Sequence, residues 1–295
     1  MLKKIKNSIN TGNFFEKLFC LLLIKLGFSN MNIQNLEVRN KKYHYIKRKY
    51  KKHINNLNYQ YVDKIEKNNN VWVCWLQGYD LMPDIVKKCV ESIYRICDGK
   101  NIHFIDSKNY CEYIKLPEYI IRKWKNGIIS NTHFSDIIRT ELLVQYGGIW
   151  MDATTLLLDK LPEYIYNSNI FMFNMKGNND IITYNNWFIY AEKDNRILKS
   201  VRDLLYAFWK EENKVQDYFI WQIFMKIVSD KYPDDLKNMM YFPHSATHML
   251  YNKILEKYDE DYIENVRKIC PIQKLTYKLE NKNDNSLYNY IVSDK

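Results

Sequence analysis

Residues 133–155 read HFSDIIRTELLVQYGGIWMDATT, and the order of polar and apolar residues in this stretch decides the architecture. Asn131 to Tyr146 predicts a long helix, stopped by Gly147-Gly148 as glycine stops a helix at its carboxyl end. Phe134, Ile137, Ile138, Leu142, Leu143 and Val144 spread around most of its circumference, the mark of a buried helix. Asp136 and Arg139, three apart, share a face of it. Burying both is costly unless they pair or meet a ligand. From the helix alone, a structural ion pair and a ligand contact stand level. Ile149 to Leu158 then predicts a third strand, with Asp152 its only charge and Thr154 on the same face. In open α/β sheets ligands lie at the carboxyl ends of strands. A carboxylate there, beside a buried Asp/Arg helix, suits a polyhydroxylated, phosphate-bearing ligand. Carboxylates accept from hydroxyls or hold a divalent cation, and arginine donates to hydroxyls or phosphate.

Outward from this block the pattern is α/β. Val71 to Leu76 (VWVCWL) reads as a buried strand ended by Gln77-Gly78, and Pro83-Asp84 opens a helix to about Ile96. Asn101 to Ile105 is a second strand, and Pro117 opens a helix to about Lys125. Ile170 to Asn174 and Trp187 to Tyr190 read as further strands, Asn195 to Lys210 and Asp217 to Ser229 as helices. The segment after Pro271 reads as an irregular tail folded back on the domain. Strands alternating with helices predict a mostly parallel central sheet with helices on both faces.

Composition excludes several classes. Hydrophobic residues are 46% and charged residues 26% of 295, which rules out wholesale disorder. The net charge of +10 sits at one end: residues 1–70 carry a balance of +11 and the remaining 225 a balance of −1. That argues against nucleic acid as a partner of the main domain, which would need its charge on a folded surface. The polar run Asn68-Asn69-Asn70 divides a basic, partly amphipathic helical segment, residues 1–70, from a globular domain, residues 71–295. The six cysteines show no C-x-x-C spacing and read as buried thiols in a reducing compartment. Phe14 to Phe28 is too short to span a bilayer, and no small-residue cleavage site follows it. It reads either as an amphipathic helix on an anionic membrane surface or as a helix packed on the protein's own core. Lys41 to Lys52 (KKYHYIKRKYKK) reads as part of that membrane contact or as a solvated linker helix.

The stretch S-D-x-x-R-x-x-L-L-x-x-Y-G-G-I-W-x-D-A-T, residues 135–154, resembles the capsular polysaccharide synthesis glycosyltransferases. These are relatives of glycosyltransferase family 32 and of the DxD sugar-binding-region proteins. VWVCWLQGYDLMPDIVKKCVESI, NNWFIYAEKDNRIL, DYFIWQIF and PIQKLTYK extend the resemblance over roughly residues 70–280. It implies a GT-A-like nucleotide-sugar-binding domain that transfers a sugar, with retention of configuration, to a glycan or lipid-linked acceptor in bacterial capsule synthesis. By the same resemblance Asp136 and Arg139 contact the donor sugar. Asp152 matches the first DxD carboxylate, which holds ribose and the metal-bound diphosphate. Thr154 replaces the second carboxylate, and a hydroxyl is a poorer ligand for Mg²⁺ or Mn²⁺, so a divalent cation is in doubt. Trp75 and Gln77 match the nucleobase site; the alternative for Trp75 is plain core packing.

Further candidates are weaker. His244 and His248, four apart, suit a metal or leaving-phosphate role less well than a structural one. Lys274 and Lys278 can neutralise a departing diphosphate or be ordinary surface lysines. Asn186 and Trp187 can line the sugar or acceptor side, and Asp217 is a base or acceptor contact, or equally a helix N-cap before Tyr218. The expected location is cytoplasmic, at the inner face of the cytoplasmic membrane. The competing readings are a toxin-like protein glycosyltransferase, a nucleic-acid-binding protein acting through the basic arm, and a non-catalytic GT-A scaffold.

Overall fold

The computed structural model describes residue 22 and residues 25–27, 31–61, 68–175, 181–279 and 285–293. The Phe14–Phe28 stretch lies, but for isolated positions, outside them. Among the described residues the helices are α1 (Met31–Lys49), α2 (Lys51–Asn56), α3 (Asp84–Ile96), α4 (Tyr110–Tyr113), α5 (Glu118–Lys125), α6 (Asn131–Tyr146), α7 (Arg196–Glu211), α8 (Ile220–Lys231), α9 (Met249–Asn252), α10 (Glu260–Ile269) and α11 (Leu287–Val292). The strands are β1 (Asn70–Cys74), β2 (Asn101–Ile105), β3 (Gly148–Asp152), β4 (Thr155–Leu157), β5 (Ile170–Asn174), β6 (Tyr184–Ala191) and β7 (Ile272–Lys274).

The central sheet runs β2-β1-β3-β6-β5. β1 pairs parallel with β2 and β3, while β6 is antiparallel to both β3 and β5. Four of these five strands therefore point one way and only β6 is reversed, the mostly parallel α/β sheet that the pattern predicts. Strand alternation divides its side chains between two cores. Trp72, Trp150, Met172 and Ile189 pack with α6, α7 and α8 on one face. Val71, Val73, Ile149, Met151 and Phe171 pack with α3 and with Leu250, Val266 and Leu287 on the other. A sheet buried on both faces reads as near-continuous apolar runs, which is why VWVC and GIWM stand out.

Local signals set the crossing from α6 to β3. Ser130 caps the helix by accepting from the His133 amide. Gly147 ends it at φ +66°, and Gly148 follows at φ +100°. A Cβ on Gly148 would stand 2.4 Å from the Asn70 carbonyl oxygen, so glycine lets β3 enter beside β1.

Two expectations change. The third strand is not continuous over Ile149–Leu158: β3 ends at Asp152, the chain turns at Ala153-Thr154, and β4 leaves for a two-stranded sheet with β7. Among its described residues the tail after Pro271 carries β7 and α11. Its β7 pairs antiparallel with β4, Thr155 opposite Lys274, so β4 finds its hydrogen bonds about 120 residues away.

The Lys41–Lys52 run is not a free linker. Tyr43, Ile46, Tyr50, Ile54 and Leu57 form one helical stripe buried in the same core as α7 and α8. The Tyr50 ring lies 6.1 Å from that of Phe208 and 5.9 Å from that of Phe224. Lys42 Nζ pairs with Asp217 at 3.0 Å, and Lys49 pairs with Glu212. Lys41, Lys47, Arg48, Lys51 and Lys52 face outward. No helix among the described residues is long and apolar enough to cross a membrane. Cys74, Cys89, Cys97 and Cys270 are buried free thiols, and burial pushes them up to about 12, 12, 11 and 11.

Candidate active site

β1 and β3 end together, Cys74 beside Asp152, and a cavity of about 360 Å³ opens at their carboxyl ends. Trp75 and Gln77 follow β1 into its wall, and Asp152, Ala153 and Thr154 follow β3. Asn131, Thr132 and Ser135 enter from the first turns of α6, and residues 274–278 close the remaining side.

Asp152 stands two residues after Trp150, on the sheet face that α6 covers. Its Oδ1 accepts from Trp150 Nε1 at 3.0 Å and lies 3.3 Å from Arg139 Nη2. Its Oδ2 accepts from Lys274 Nζ at 2.8 Å. Lys274 Nζ also donates to Thr154 Oγ1 at 2.6 Å. Burial alone would push the Asp152 carboxyl up; Lys274 and then Arg139 outweigh it and hold it below the usual carboxylate range.

Arg139 organises the wall. Its side chain is 4% exposed, and Nη2 also lies 3.3 Å from Asp136 Oδ1. Nε donates to the Ser135 carbonyl at 3.4 Å, Nη2 to Ser135 Oγ at 3.3 Å, and Nη1 to the Asn186 carbonyl. The guanidinium covers the Trp150 ring at 4.9 Å. Asp136 lies behind the wall rather than in it, and its Oδ1 accepts from Asn186 Nδ2 at 2.8 Å. Burial pushes its carboxyl up to about 7 against the pull of Arg139. The helix pair is thus an ion pair tied directly to Asp152, with Arg139 in the cavity wall and Asp136 behind it.

The other candidates separate. Trp75 lines the cavity, its ring edge-on to Tyr277 at 5.2 Å, and its buried Nε1 has no hydrogen-bond partner among the described residues. Gln77 and Lys278 are exposed in the wall. Asn186 acts through Asp136 and Arg139, and Trp187 is buried on Phe173. Asp217 accepts from the Phe219 amide two residues on and pairs with Lys42, but the N-cap position of α8 is Phe219, so Asp217 does not cap the helix. His244 and His248 sit in a single 3-10 turn with rings 5.0 Å apart, outside the cavity wall. Among the polar wall residues that sequence reasoning missed are Asn131, Thr132, Ser135, Tyr218, Thr276 and Tyr277. Ser135 lies inside the SDxxR block; the others carry no local signal.

Among the described residues no three His, Cys, Asp or Glu side chains converge as metal ligands. Thr154 supplies a hydroxyl where a second carboxylate is expected, and the one carboxylate already holds an ammonium.

Carboxylate, guanidinium and ammonium groups at the strand ends of an open α/β sheet have the chemistry to pair with anionic groups and hydrogen-bond hydroxyls. Comparison with protein families narrows this. The model of the family described as capsular polysaccharide synthesis protein matches residues 24–291, and the chain belongs to that family. It is similar to the O-glycosyltransferase braB of Annulohypoxylon truncatum, 25% identical over 173 residues, 52% of this chain and 41% of that one. It is also similar to the O-glycosyltransferase PaGT of Phomopsis amygdali, 26% identical over 176 residues, 52% of this chain and 42% of that one. The chain thus spans about two fifths of the length of these curated relatives. Among solved structures it is similar to the PaToxG glycosyltransferase, with a TM-score of 0.42 and 14% identity over 82% of this chain and 100% of that one.

Proposed function

We propose that this chain is a nucleotide-sugar-dependent glycosyltransferase of the GT-A type, related to the DxD proteins of family 32. It moves a sugar, with retention, to a hydroxyl of a glycan or lipid-linked acceptor in surface polysaccharide synthesis. The observation that carries this reading is Asp152 at the end of β3, inside a cavity with Lys274, Lys278 and Trp75 in its wall. Family membership and the names of the curated relatives support it.

In the reaction the bond from the anomeric carbon to the diphosphate oxygen breaks, and its electron pair stays on that oxygen. The acceptor oxygen bonds the anomeric carbon, and its proton passes to a diphosphate oxygen. Trp75 stacks on the nucleobase and Gln77 reads its edge. Asp152 has room on Oδ2 to accept from a ribose hydroxyl beside Lys274. Arg139 holds Asp152 in place and adds positive potential where the diphosphate lies. The outward-facing lysines and arginine of α1 and α2 support peripheral binding at an anionic, cytoplasmic membrane face, where lipid-linked acceptors lie.

The test is slow donor hydrolysis by purified protein against a panel of nucleotide sugars. One donor should turn over, and Asp152→Asn should lower that turnover by about 10²-fold or more. Unchanged turnover in the variant would place the chemistry elsewhere.

A further inference from the structure

We propose that Lys274 takes the place of the divalent cation of DxD transferases, neutralising the donor diphosphate so that transfer proceeds without a bound metal. The inference rests on the nucleotide-sugar reading and goes beyond it by assigning the group that meets the phosphates.

The Lys274 ammonium sits between the two positions that a DxD motif gives to carboxylates. It is 2.8 Å from Asp152 Oδ2 and 2.6 Å from Thr154 Oγ1. What room Asp152 has lies on Oδ2, directly beside the Lys274 ammonium. Oδ1 faces both Trp150 Nε1 and the Arg139 guanidinium, and Oδ2 holds the ammonium. A dication bonded there would displace Lys274 or lie against it, with like charges in contact. Thr154 fits the alternative arrangement better, because a hydroxyl accepts from an ammonium without adding charge.

Lys274 is also built in rather than draped over the surface. Thr155 and Lys274 are opposite each other in the β4–β7 pair, and the Leu275 amide donates to the Thr154 carbonyl at 2.9 Å. Gln273, fully buried, donates to the carbonyls of Ala246 and Cys270 and accepts from the Leu250 amide, which locks the strand next to the lysine. The Trp187 ring lies 5.6 Å from Nζ. Pinned at both ends, the ammonium is a preorganised charge at the place where negative charge develops on the leaving diphosphate. The electron pair of the broken bond stays on the phosphate oxygen that the ammonium faces.

The experiment is calorimetric titration of the purified chain with UDP, GDP, ADP and dTDP, each in EDTA and in Mn²⁺ or Mg²⁺. One nucleoside diphosphate should bind with an affinity that agrees within about twofold in the two conditions. Lys274→Met should lose at least about tenfold of that affinity, the scale of one charge-assisted contact. Binding of the matching nucleoside without phosphates should be little changed, and Lys274→Arg should retain metal-free diphosphate binding. Because the EDTA comparison needs no variant, it decides even if Lys274→Met fails to fold. Binding that appears only with the cation, or that survives Lys274→Met undiminished, overturns the role of Lys274 and leaves the nucleotide-sugar reading standing. Absence of binding for every diphosphate in both conditions removes that reading and the proposal with it.

Discussion

At the residue scale two carboxylates of one cluster are pushed in opposite directions by their surroundings. Asp136, behind the cavity wall, is pushed up to about 7 by burial. Asp152 is held low by Lys274 and Arg139 once burial has been outweighed. The consequences for stability have opposite signs. Between the ordinary carboxylate range and pH 7 the unfolded chain has lost the Asp136 proton while the native chain keeps it. Rising pH therefore costs stability across that window. Asp136→Asn should remove this slope, so that thermal melts from pH 5 to 8 show wild type losing a few degrees relative to the variant. Asp152 contributes stability that is present above its unfolded value and is lost only as acid reaches its lowered native value. Arg139 joins the two. Lysine cannot reproduce its contacts to Ser135, Asn186, Asp136 and Asp152, so Arg139→Lys should cost about 3 kcal/mol in urea unfolding.

At the scale of elements, the site depends on how closely β3 can approach β1. Gly148, at φ +100°, has the Asn70 carbonyl where a Cβ would project. Gly127, at φ +71°, has nothing within 4 Å. Gly148→Ala should destabilise by more than about 2 kcal/mol, combining backbone strain with a backbone clash, against about 1 kcal/mol for Gly127→Ala. Denaturant midpoints of the two variants make the comparison directly. Pairing of β4 with β7 is the other decisive joint, because it brings the tail lysine to the end of β3. The hydrophobic pattern of IWMDATTLLL reads as one strand because both pieces are apolar. Only the partner strand shows where the sheet changes.

At the scale of the whole molecule, the basic amino-terminal segment has two faces with different work. Its inward stripe, centred on Ile46 and Tyr50, belongs to the same core as α7 and α8. Tyr50→Ala should cost about 3 kcal/mol or more, as a large buried aromatic does. On the outward side Lys47 Nζ donates to the Tyr43 hydroxyl at 3.1 Å, while Lys41, Arg48, Lys51 and Lys52 are exposed. Replacing Lys41, Arg48, Lys51 and Lys52 with glutamate should leave the melting temperature nearly unchanged. The same change should abolish sedimentation with anionic vesicles, and wild-type sedimentation should weaken steeply with salt. Retained sedimentation in the variant would remove the membrane proposal.

Much of this was legible along the chain. Alternation of apolar strands with helices, Gly147-Gly148 after a buried helix, and Asp152 as the only charge of its strand suffice to predict the α/β sheet. They also place a site at the carboxyl end of β3. These are local signals, set by steric limits on the backbone and by the price of burying charge. The tertiary structure decided what depends on segments far apart. It joined Lys274 to Asp152 and Thr154, turned the amphipathic stripe of α1 and α2 inward, and kept His244 and His248 out of the cavity. No periodicity records such meetings, because a lysine in a tail and a tyrosine on a basic helix have the same local chemistry whichever surface they reach. Their roles follow from which unsatisfied backbone edge or apolar face the folded chain offers them.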